Sequence, residues 1–303
     1  MTTPGAAPAD KATAAYDTSD PAYLKIRDLI YQISGIYQSQ EKLYLLISRC
    51  ERRMSAVNAK TASEYLEHLT VRGNRDTELR LLLNEITIGE TYMFRSPFQL
   101  EALRNVILPQ MIEAKSKLGF KRIRFWSAGC STGEEPYTLA MLLVEESEKL
   151  LKGWSFDIFA TDLNDRSLET AKAGIYGAYA LRNTTEQLRN KYFKPIDDKR
   201  LQVTQQLKSL IRFDRVNLSD DSKMVFLKGI DIIFCCNVLI YFDLASKRRV
   251  VQHFYSNLLP NGYLFLGHAE SLYQVEDTFR LVHFAGTTAY WKPPAGYIGG
   301  GKP

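Results

Sequence analysis

The sequence predicts an α/β fold: a doubly wound, mostly parallel sheet closed by an antiparallel hairpin, preceded by a small all-α domain and interrupted by a small antiparallel β insert. Three observations predict it. Strand-like segments alternate with helical segments of roughly 12 residues from Arg122 onward, the signature of parallel βαβ units. The first strand runs into a turn of very small residues that opens a helix, "RFWSAGCSTGEEPYTLAML" over 124–142. The last two strand-like pieces, "TFRLVHFAG" and "TTAYWKP", are separated only by a glycine turn and read as a hairpin.

In chain order, residues 1–20 are rich in Ala, Thr, Pro and Asp and read as a disordered tail. They carry no basic flank followed by an apolar core, so they do not read as a signal peptide. Residues 21–88 read as a helical domain. "YLKIRDLIYQISGI" places Leu24, Ile26, Leu29, Ile30 and Ile33 near one face, and "EKLYLLISRCERRMSAV", "TASEYLEHLTV" and "DTELRLLLNEITI" follow as short helices. Residues 89–120 form a linker helix, "SPFQLEALRNVILPQMIEAKSK", with an interruption at Pro109. The α/β domain spans 121–293. Its strands are "RIRFWSAG", "FDIFATD", "LIRFDRVNL", "DIIFCCNVLI", "GYLFLGH" and the closing hairpin, with helices "PYTLAMLLVEESEKL", "DRSLETAKAG" and "LASKRRVVQHFYSNLL" between them. Residues 176–216 hold "YFKPI", "RLQVTQQL" and an Asp-Asp turn, which suggest a small antiparallel insert ending in a strand that rejoins the main sheet. Residues 294–303 read as a flexible tail.

Composition excludes several classes. The 303 residues are 45% hydrophobic and 24% charged, ordinary values for a soluble globular protein. No apolar stretch approaches the ~18 residues needed to span a bilayer. The four cysteines lack CxxC spacing, and adjacent Cys235 and Cys236 on one strand would point to opposite faces. The four histidines are scattered, so no metal site is expected. Structural thiols fit a cytoplasmic protein. Net charge is +5, but residues 21–124 hold 17 Lys and Arg against 11 Asp and Glu. An acidic partner is therefore expected at the N-terminal part.

Ligands of open α/β sheets sit beyond the carboxyl ends of the strands. Four such ends carry small or polar residues: "AGCSTGEE", "ATDLN" ending in Asp162, "RVNL" with Asn217, and "CCNVLIY" with Asn237 and Tyr241. Asp162 is placed to accept hydrogen bonds from the two hydroxyls of a ribose. The glycine turn departs from GxGxxG, and its two glutamates would repel a pyrophosphate. S-adenosylmethionine has an adenosine but no phosphate, and its ammonium and sulfonium are positive. Gly129 allows close approach and Glu134 can attract the cationic end. Glutamates at a helix start also simply suit the helix dipole.

The ordered blocks "ITIGETYMFR", "FWSAGCSTGEEPYTLAM", "FATDLN", "AKAGIYG", "FDRVNL", "DIIFCCNVLIYFD" and "GYLFLGHAESL" resemble the chemotaxis receptor methyltransferases of the CheR type, over nearly everything from Pro21 to Pro293. The resemblance implies a Rossmann-like class I methyltransferase sheet, with S-adenosyl-L-methionine as cofactor, S-adenosyl-L-homocysteine as product, and methyl transfer to glutamate side chains of bacterial chemoreceptors. Thr91 and Arg95 would reach the cofactor, Arg95 gripping its carboxylate. Glu134 would meet the ammonium and Asp162 the ribose, with Asn217 and Leu218 near the adenine. Cys236 and Asn237 would line the floor, and Tyr241 would stand close to the sulfonium. Two positions depart from the family pattern: Gly89, where asparagine is usual, and Cys236, where arginine is common. On residues alone, Thr91 also reads as a helix cap, Arg95 as a surface charge and Tyr241 as a core aromatic. The substrate would be an acidic helical surface of the receptors' cytoplasmic part. Arg49, Arg52 and Arg53 stand at i, i+3 and i+4 on one helix face suited to dock it. A monomer is expected, with no nucleic acid and no membrane insertion. A nucleic-acid methyltransferase would call for an Asn/Asp-Pro-Pro-aromatic floor, which "CNVLIYF" lacks. A small-molecule carboxyl methyltransferase would not need the basic helical domain. A non-catalytic receptor-binding adaptor of the same fold also fits the residues.

Overall fold

The computed structural model describes residues 16–71, 75–87 and 89–297. The expected tail up to residue 15 and the last six residues of the expected C-terminal tail lie outside that range. The chain divides into two compact units, at Thr87 and Ile88.

The first unit holds α1 (Pro21–Ser34), α2 (Leu43–Val57), α3 (Ala62–Thr70) and α4 (Arg75–Ile86). The Asp20 side chain accepts the Ala22 N–H, Pro21 pre-sets the first turn of α1, and Gly35 ends that helix at φ 73°. The buried stripe of α1 is Ala22, Tyr23, Ile26, Ile30 and Ser34. Leu24, Leu29 and Ile33 flank it half-buried, so the stripe lies slightly rotated from the expected one. It packs with Leu43, Leu46, Ile47, Tyr65, Leu69 and Leu82 in an apolar core.

The second unit opens with one long helical stretch: α5 (Pro97–Ala102), a π-turn over Leu103–Ile107, and α6 (Leu108–Lys117). Pro109 does not interrupt it. The Leu108 N–H reaches back five residues to the Leu103 carbonyl, and this wider turn just before the proline lets the helix continue. Then come β1 (Arg122–Ala128), α7 (Glu134–Ser147), β2 (Ser155–Asp162), α8 (Asp165–Ala173), β3 (Ile175–Gly177), α9 (Glu186–Tyr192), β4 (Phe193–Pro195), β5 (Arg200–Val203), α10 (Gln205–Lys208) and β6 (Ile211–Arg215). The chain ends with α11 (Asp221–Met224), β7 (Ile230–Cys235), α12 (Leu244–Asn257), β8 (Leu258–Leu266), β9 (Arg280–Phe284) and β10 (Thr287–Trp291).

The main sheet has the order β6-β2-β1-β7-β8-β10-β9. β6, β2, β1, β7 and β8 pair in parallel, and β10 pairs antiparallel with β8 and β9. β7 is buried at every position, as a strand covered on both faces must be. The chain moves outward from β1 to β2 and β6, then crosses back to β7 on the other side of β1. That reversal opens a crevice beyond the carboxyl ends of β1 and β7.

A second sheet, β3-β5-β4, is the antiparallel insert. Two details differ from expectation. "IYG" forms the strand β3, and "TQQL" leaves the strand after Val203 to begin α10. Strand β7 also ends at Cys235, so Cys236 lies past it and "VLIY" is a short 3₁₀ turn, Leu239–Tyr241, rather than strand. Near the C-terminus, Tyr297 packs edge-on against Trp291, with ring centroids 5.1 Å apart.

Candidate cofactor site at the sheet switch point

The glycine turn after β1 is built by backbone. The Gly129 and Cys130 N–H groups both donate to the Thr161 carbonyl, at 2.8 and 2.9 Å. Gly129 (φ 79°), Ser131 (φ 49°) and Gly133 (φ 95°) take left-handed conformations that fold the chain into a tight cup. A Cβ on Gly129 would stand 2.4 Å from Val238 Cγ2, and one on Gly133 would stand 2.8 Å from Ala171 Cβ. Glycine is required at both because neighbouring walls close against the turn.

Asp162 ends β2 beside this cup. Its Oδ2 accepts the Ser131 N–H at 2.7 Å and its Oδ1 accepts the Asn164 N–H at 2.8 Å. The carboxylate is thus oriented by the turn it borders. Burial pushes its acid upward, while the backbone hydrogen bonds hold it down.

Glu134 begins α7, is 4% exposed, and its Oε2 accepts the Thr132 hydroxyl at 2.6 Å. Glu135 accepts the Ser127 hydroxyl at 2.6 Å. Burial raises both acids, Glu135 to about 7, with the Ser127 hydroxyl, the Cys236 thiol and the Arg95 charge acting in the opposite direction on Glu135. Three carboxyl groups therefore surround one small-residue turn.

The segment 89–95 lies against that turn. A Cβ on Gly89 would meet Ser131 Oγ at 3.0 Å. A side chain there would need the Ser131 hydroxyl to shift by only a few tenths of an ångström, so packing does not explain the departure at Gly89. Thr91 is half-buried and does not cap the next helix, whose N-cap residue is Ser96. Arg95 is exposed and donates to the Glu90 carbonyl at 2.7 Å, with its guanidinium 5.7 Å from the Tyr92 ring centroid. The insert closes over the same segment. Met93 N–H donates to the Ala180 carbonyl at 2.9 Å. The Arg182 guanidinium stacks between two rings, 3.2 Å from the Tyr92 centroid and 3.8 Å from that of Tyr179. The Tyr179 hydroxyl completes the clasp by donating to the Glu90 carboxylate.

The far wall follows β7. Asn237 (φ 62°) donates its N–H to Glu270 Oε2 at 2.7 Å, and Gly267 donates to the same oxygen at 2.7 Å. Ile240 N–H reaches Glu270 Oε1 at 3.2 Å. Cys236 Sγ lies 3.6 Å from Gln99 Oε1, and Gln99 in turn donates to the Leu266 carbonyl at 2.6 Å. Tyr241 is 43% exposed at the end of this loop, not a core aromatic. After β6, Asn217 Oδ1 accepts the Ser219 N–H at 3.0 Å, and the Leu218 carbonyl lies 2.8 Å from His253 Nδ1. His253 Nε2 sits 2.9 Å from Asp221 Oδ1, so a histidine with no signal in the sequence anchors the Asn217–Leu218 corner.

The switch-point crevice thus gathers Gly129, Glu134 and Asp162 with Gly89, and Asn217, Leu218, Cys236, Asn237 and Tyr241 stand at neighbouring strand ends of the same edge. Sequence reasoning noted Glu135 only as one of the two acids that open the helix, and missed Ser131, Glu270 and His253. "GHAESL" belongs to the ordered motifs, but nothing in it says that Glu270 holds a distant loop. The cup fits an adenosyl group with a cationic end: Cβ-free approach at Gly129, a fixed carboxylate at Asp162, and acidic groups where a phosphate would be repelled.

Arg49, Arg52 and Arg53 belong to the helical unit and do not form a uniform free face. Arg53 is 12% exposed at its side chain and bidentate to Glu78, at 2.9 and 2.8 Å. Tyr65 donates to the same carboxylate at 2.8 Å. The expectation that Arg53 docks a partner is corrected: its place on α2 turns it toward α4, and its charge is committed to a buried acid. Arg52 is 56% exposed and 3.7 Å from Glu85, and Arg49 is half-buried.

A Rossmann-like sheet with this cup defines an S-adenosylmethionine-binding methyltransferase. The family described as "CheR methyltransferase, SAM binding domain" matches residues 89–287, and "CheR methyltransferase, all-alpha domain" matches residues 21–87. The chain is 34% identical over 278 residues to Chemotaxis protein methyltransferase 2 of Vibrio cholerae serotype O1, covering 92% of this chain and 95% of that one. It is 36% identical over 244 residues to the chemotaxis protein methyltransferase of Borreliella burgdorferi, covering 80% and 86%. With Chemotaxis protein methyltransferase 1 of Pseudomonas aeruginosa the identity is 35% over 262 residues, covering 84% and 92%. The chain belongs to the CheR methyltransferase family.

Proposed function

We propose that this protein methylates glutamate carboxylates of bacterial chemoreceptors, forming glutamyl methyl esters in chemotactic adaptation. The observation that carries the reading is the acid-lined glycine cup, with Asp162 and Glu134 beside Gly129, in a chain of the CheR methyltransferase family. A glutamate is already an anion at neutral pH and needs no proton removed before it attacks. Bound S-adenosylmethionine would supply an electrophilic methyl group.

The chain's own residues bind, orient and exclude water. Asp162 would hold the ribose, Glu134 the ammonium and Arg95 the carboxylate of the cofactor, Arg95 exchanging its present bond to the Glu90 carbonyl. Thr91, together with Gly89 and Gly129, would border the same group, with Asn217 and Leu218 at the adenine and Cys236 and Asn237 on the floor. Tyr241 would orient the incoming carboxylate. Charge is lost when an anion attacks a sulfonium, so water slows the reaction and a partly dry crevice speeds it. Arg49 and Arg52 are the residues of the helical unit suited to an acidic receptor helix, while Arg53 positions α2 against α4. No described helix is long and apolar enough to cross a membrane, and the protein would act in the cytoplasm as a monomer.

The test is alkali-labile methanol released from a chemoreceptor cytoplasmic fragment after incubation with radiolabelled cofactor. Labelled, alkali-labile receptor supports the reading, and binding of the fragment without any ester would instead make the chain an adaptor. Tyr241→Phe should lower kcat about tenfold or more with S-adenosylhomocysteine affinity nearly unchanged.

A further inference from the structure

The loops that leave β7 and β8 emerge at the same sheet edge as Tyr241 and are cross-tied twice. Glu270 takes the Ile240 N–H, and Arg248 Nη2 on α12 donates to the Gln274 carbonyl at 3.1 Å. Between the ties stand four large side chains in water: Ile240 53%, Tyr241 43%, Leu244 48% and Tyr273 79% exposed. The exposure is held in place. The Tyr273 N–H donates to Ser271 Oγ, that hydroxyl lies 3.3 Å from the Tyr290 hydroxyl, and Gln274 is fixed at φ 61°. Apolar side chains grouped on braced loops at the mouth of a site mark an interaction surface.

Its charge is equally ordered. Arg248 lies four residues after Leu244 on α12, so the two share a helix face. The neighbouring acids are occupied: Asp243 accepts the Ser246 N–H, Glu270 holds backbone N–H groups, and Glu276 accepts those of Asp277 and Thr278. Arg248 is exposed beside this apolar surface, whereas Asp243, Glu270 and Glu276 keep their charge but are turned toward backbone N–H groups, and Asp277 is exposed.

We propose that this rim seats the receptor helix that presents the target glutamate. Apolar residues one helical turn from that glutamate would pack on Ile240, Leu244 and Tyr273, and a flanking acid of the helix would face Arg248. The occupant follows from position and chemistry: a carboxylate bound for Tyr241 must cross this rim, and an acidic amphipathic helix matches an apolar surface with an exposed cation. The inference rests on the carboxylate-methylation reading and assigns to it a second contact region, separate from α2.

The experiment uses full-length protein, a fluorescently labelled chemoreceptor cytoplasmic fragment, and the variants Tyr273→Ser and Leu244→Asn, read separately. Both positions are well exposed, so circular dichroism and S-adenosylhomocysteine titration should match wild type. Anisotropy without cofactor is expected to show at least tenfold weaker fragment binding. Methanol release should show a similarly raised KM at a kcat within twofold. Fragment affinity and KM within twofold of wild type in both variants would overturn the rim. If wild type makes no methyl ester, the carboxylate reading falls, whereas anisotropy still decides the rim by whether the variants lose the fragment.

Discussion

The Glu270 carboxylate holds the Asn237 backbone at 2.7 Å across 33 residues of sequence, fixing the loop after β7 to the end of β8. One side chain thereby serves three amides, those of Asn237, Gly267 and Ile240. Glu270→Ala leaves all three without their acceptor. Charge-assisted hydrogen bonds of this kind are worth about 1.5–3 kcal/mol each, and water recovers part of the loss. Stability should fall by about 2–4 kcal/mol in urea titration, and S-adenosylhomocysteine affinity should drop about tenfold, with Glu270→Gln intermediate. Wild-type affinity in the alanine variant would show that the loop needs no such tie.

Gly129→Ala places a methyl group 2.4 Å from Val238 Cγ2 at φ 79°. Cofactor binding should become undetectable by calorimetry. Adding Val238→Ala removes the collision but not the left-handed backbone, which still costs about 1–2 kcal/mol. The double variant should therefore recover part of the stability lost. Full recovery would mean that the backbone conformation costs nothing; none would mean that the valine is not the obstacle.

Glu135 makes stability depend on pH. Its ordinary value is 4.5 and burial raises it to about 7 in the folded protein. Between these values the native state holds more protons than the unfolded chain, so this group's contribution to stability falls as pH rises through the window. The cost is complete above pH 7 and absent below 4.5. Glu135→Gln keeps an acceptor for Ser127 and cannot ionise. It should stabilise the cofactor-free protein by roughly 2–3 kcal/mol at pH 8 and far less at pH 5, measured against wild type by denaturant unfolding. An equal gain at both pH values would contradict the assignment.

Arg53 and Arg52 should behave oppositely despite being neighbours. Arg53→Ala strands the buried Glu78 and should cost about 3–5 kcal/mol. Arg52→Glu should change stability by less than about 1 kcal/mol, because the residue is exposed, yet raise the KM for receptor. A thermal melt and receptor kinetics on the same two variants check both statements.

The pattern of legibility follows from what each residue must touch. Strands and helices of the sheet were readable because burial on both faces demands continuous apolar runs, as in β7. Asp162 and the glycine turn were readable because a strand end fixes where they stand. Strand β3 was not, since three residues after a helix carry too little periodicity to distinguish strand from cap. Pro109 pointed to a break, and the π-turn that absorbs it leaves no mark in sequence. Arg53 shows the limit of helical-face reasoning: i, i+3 and i+4 give a shared face, but whether that face meets water or α4 is decided by residues elsewhere in the chain. Glu270 and His253 were invisible for the same reason, because their partners are mostly backbone groups, which every residue possesses.

Arg182, stacked between Tyr92 and Tyr179, joins the insert to the segment that carries Thr91 and Arg95. Two regions so joined are thermodynamically linked. If the methyl donor also binds better with the stack formed, a molecule that grips the stacked insert raises the donor's affinity, and the donor raises that molecule's affinity by the same factor.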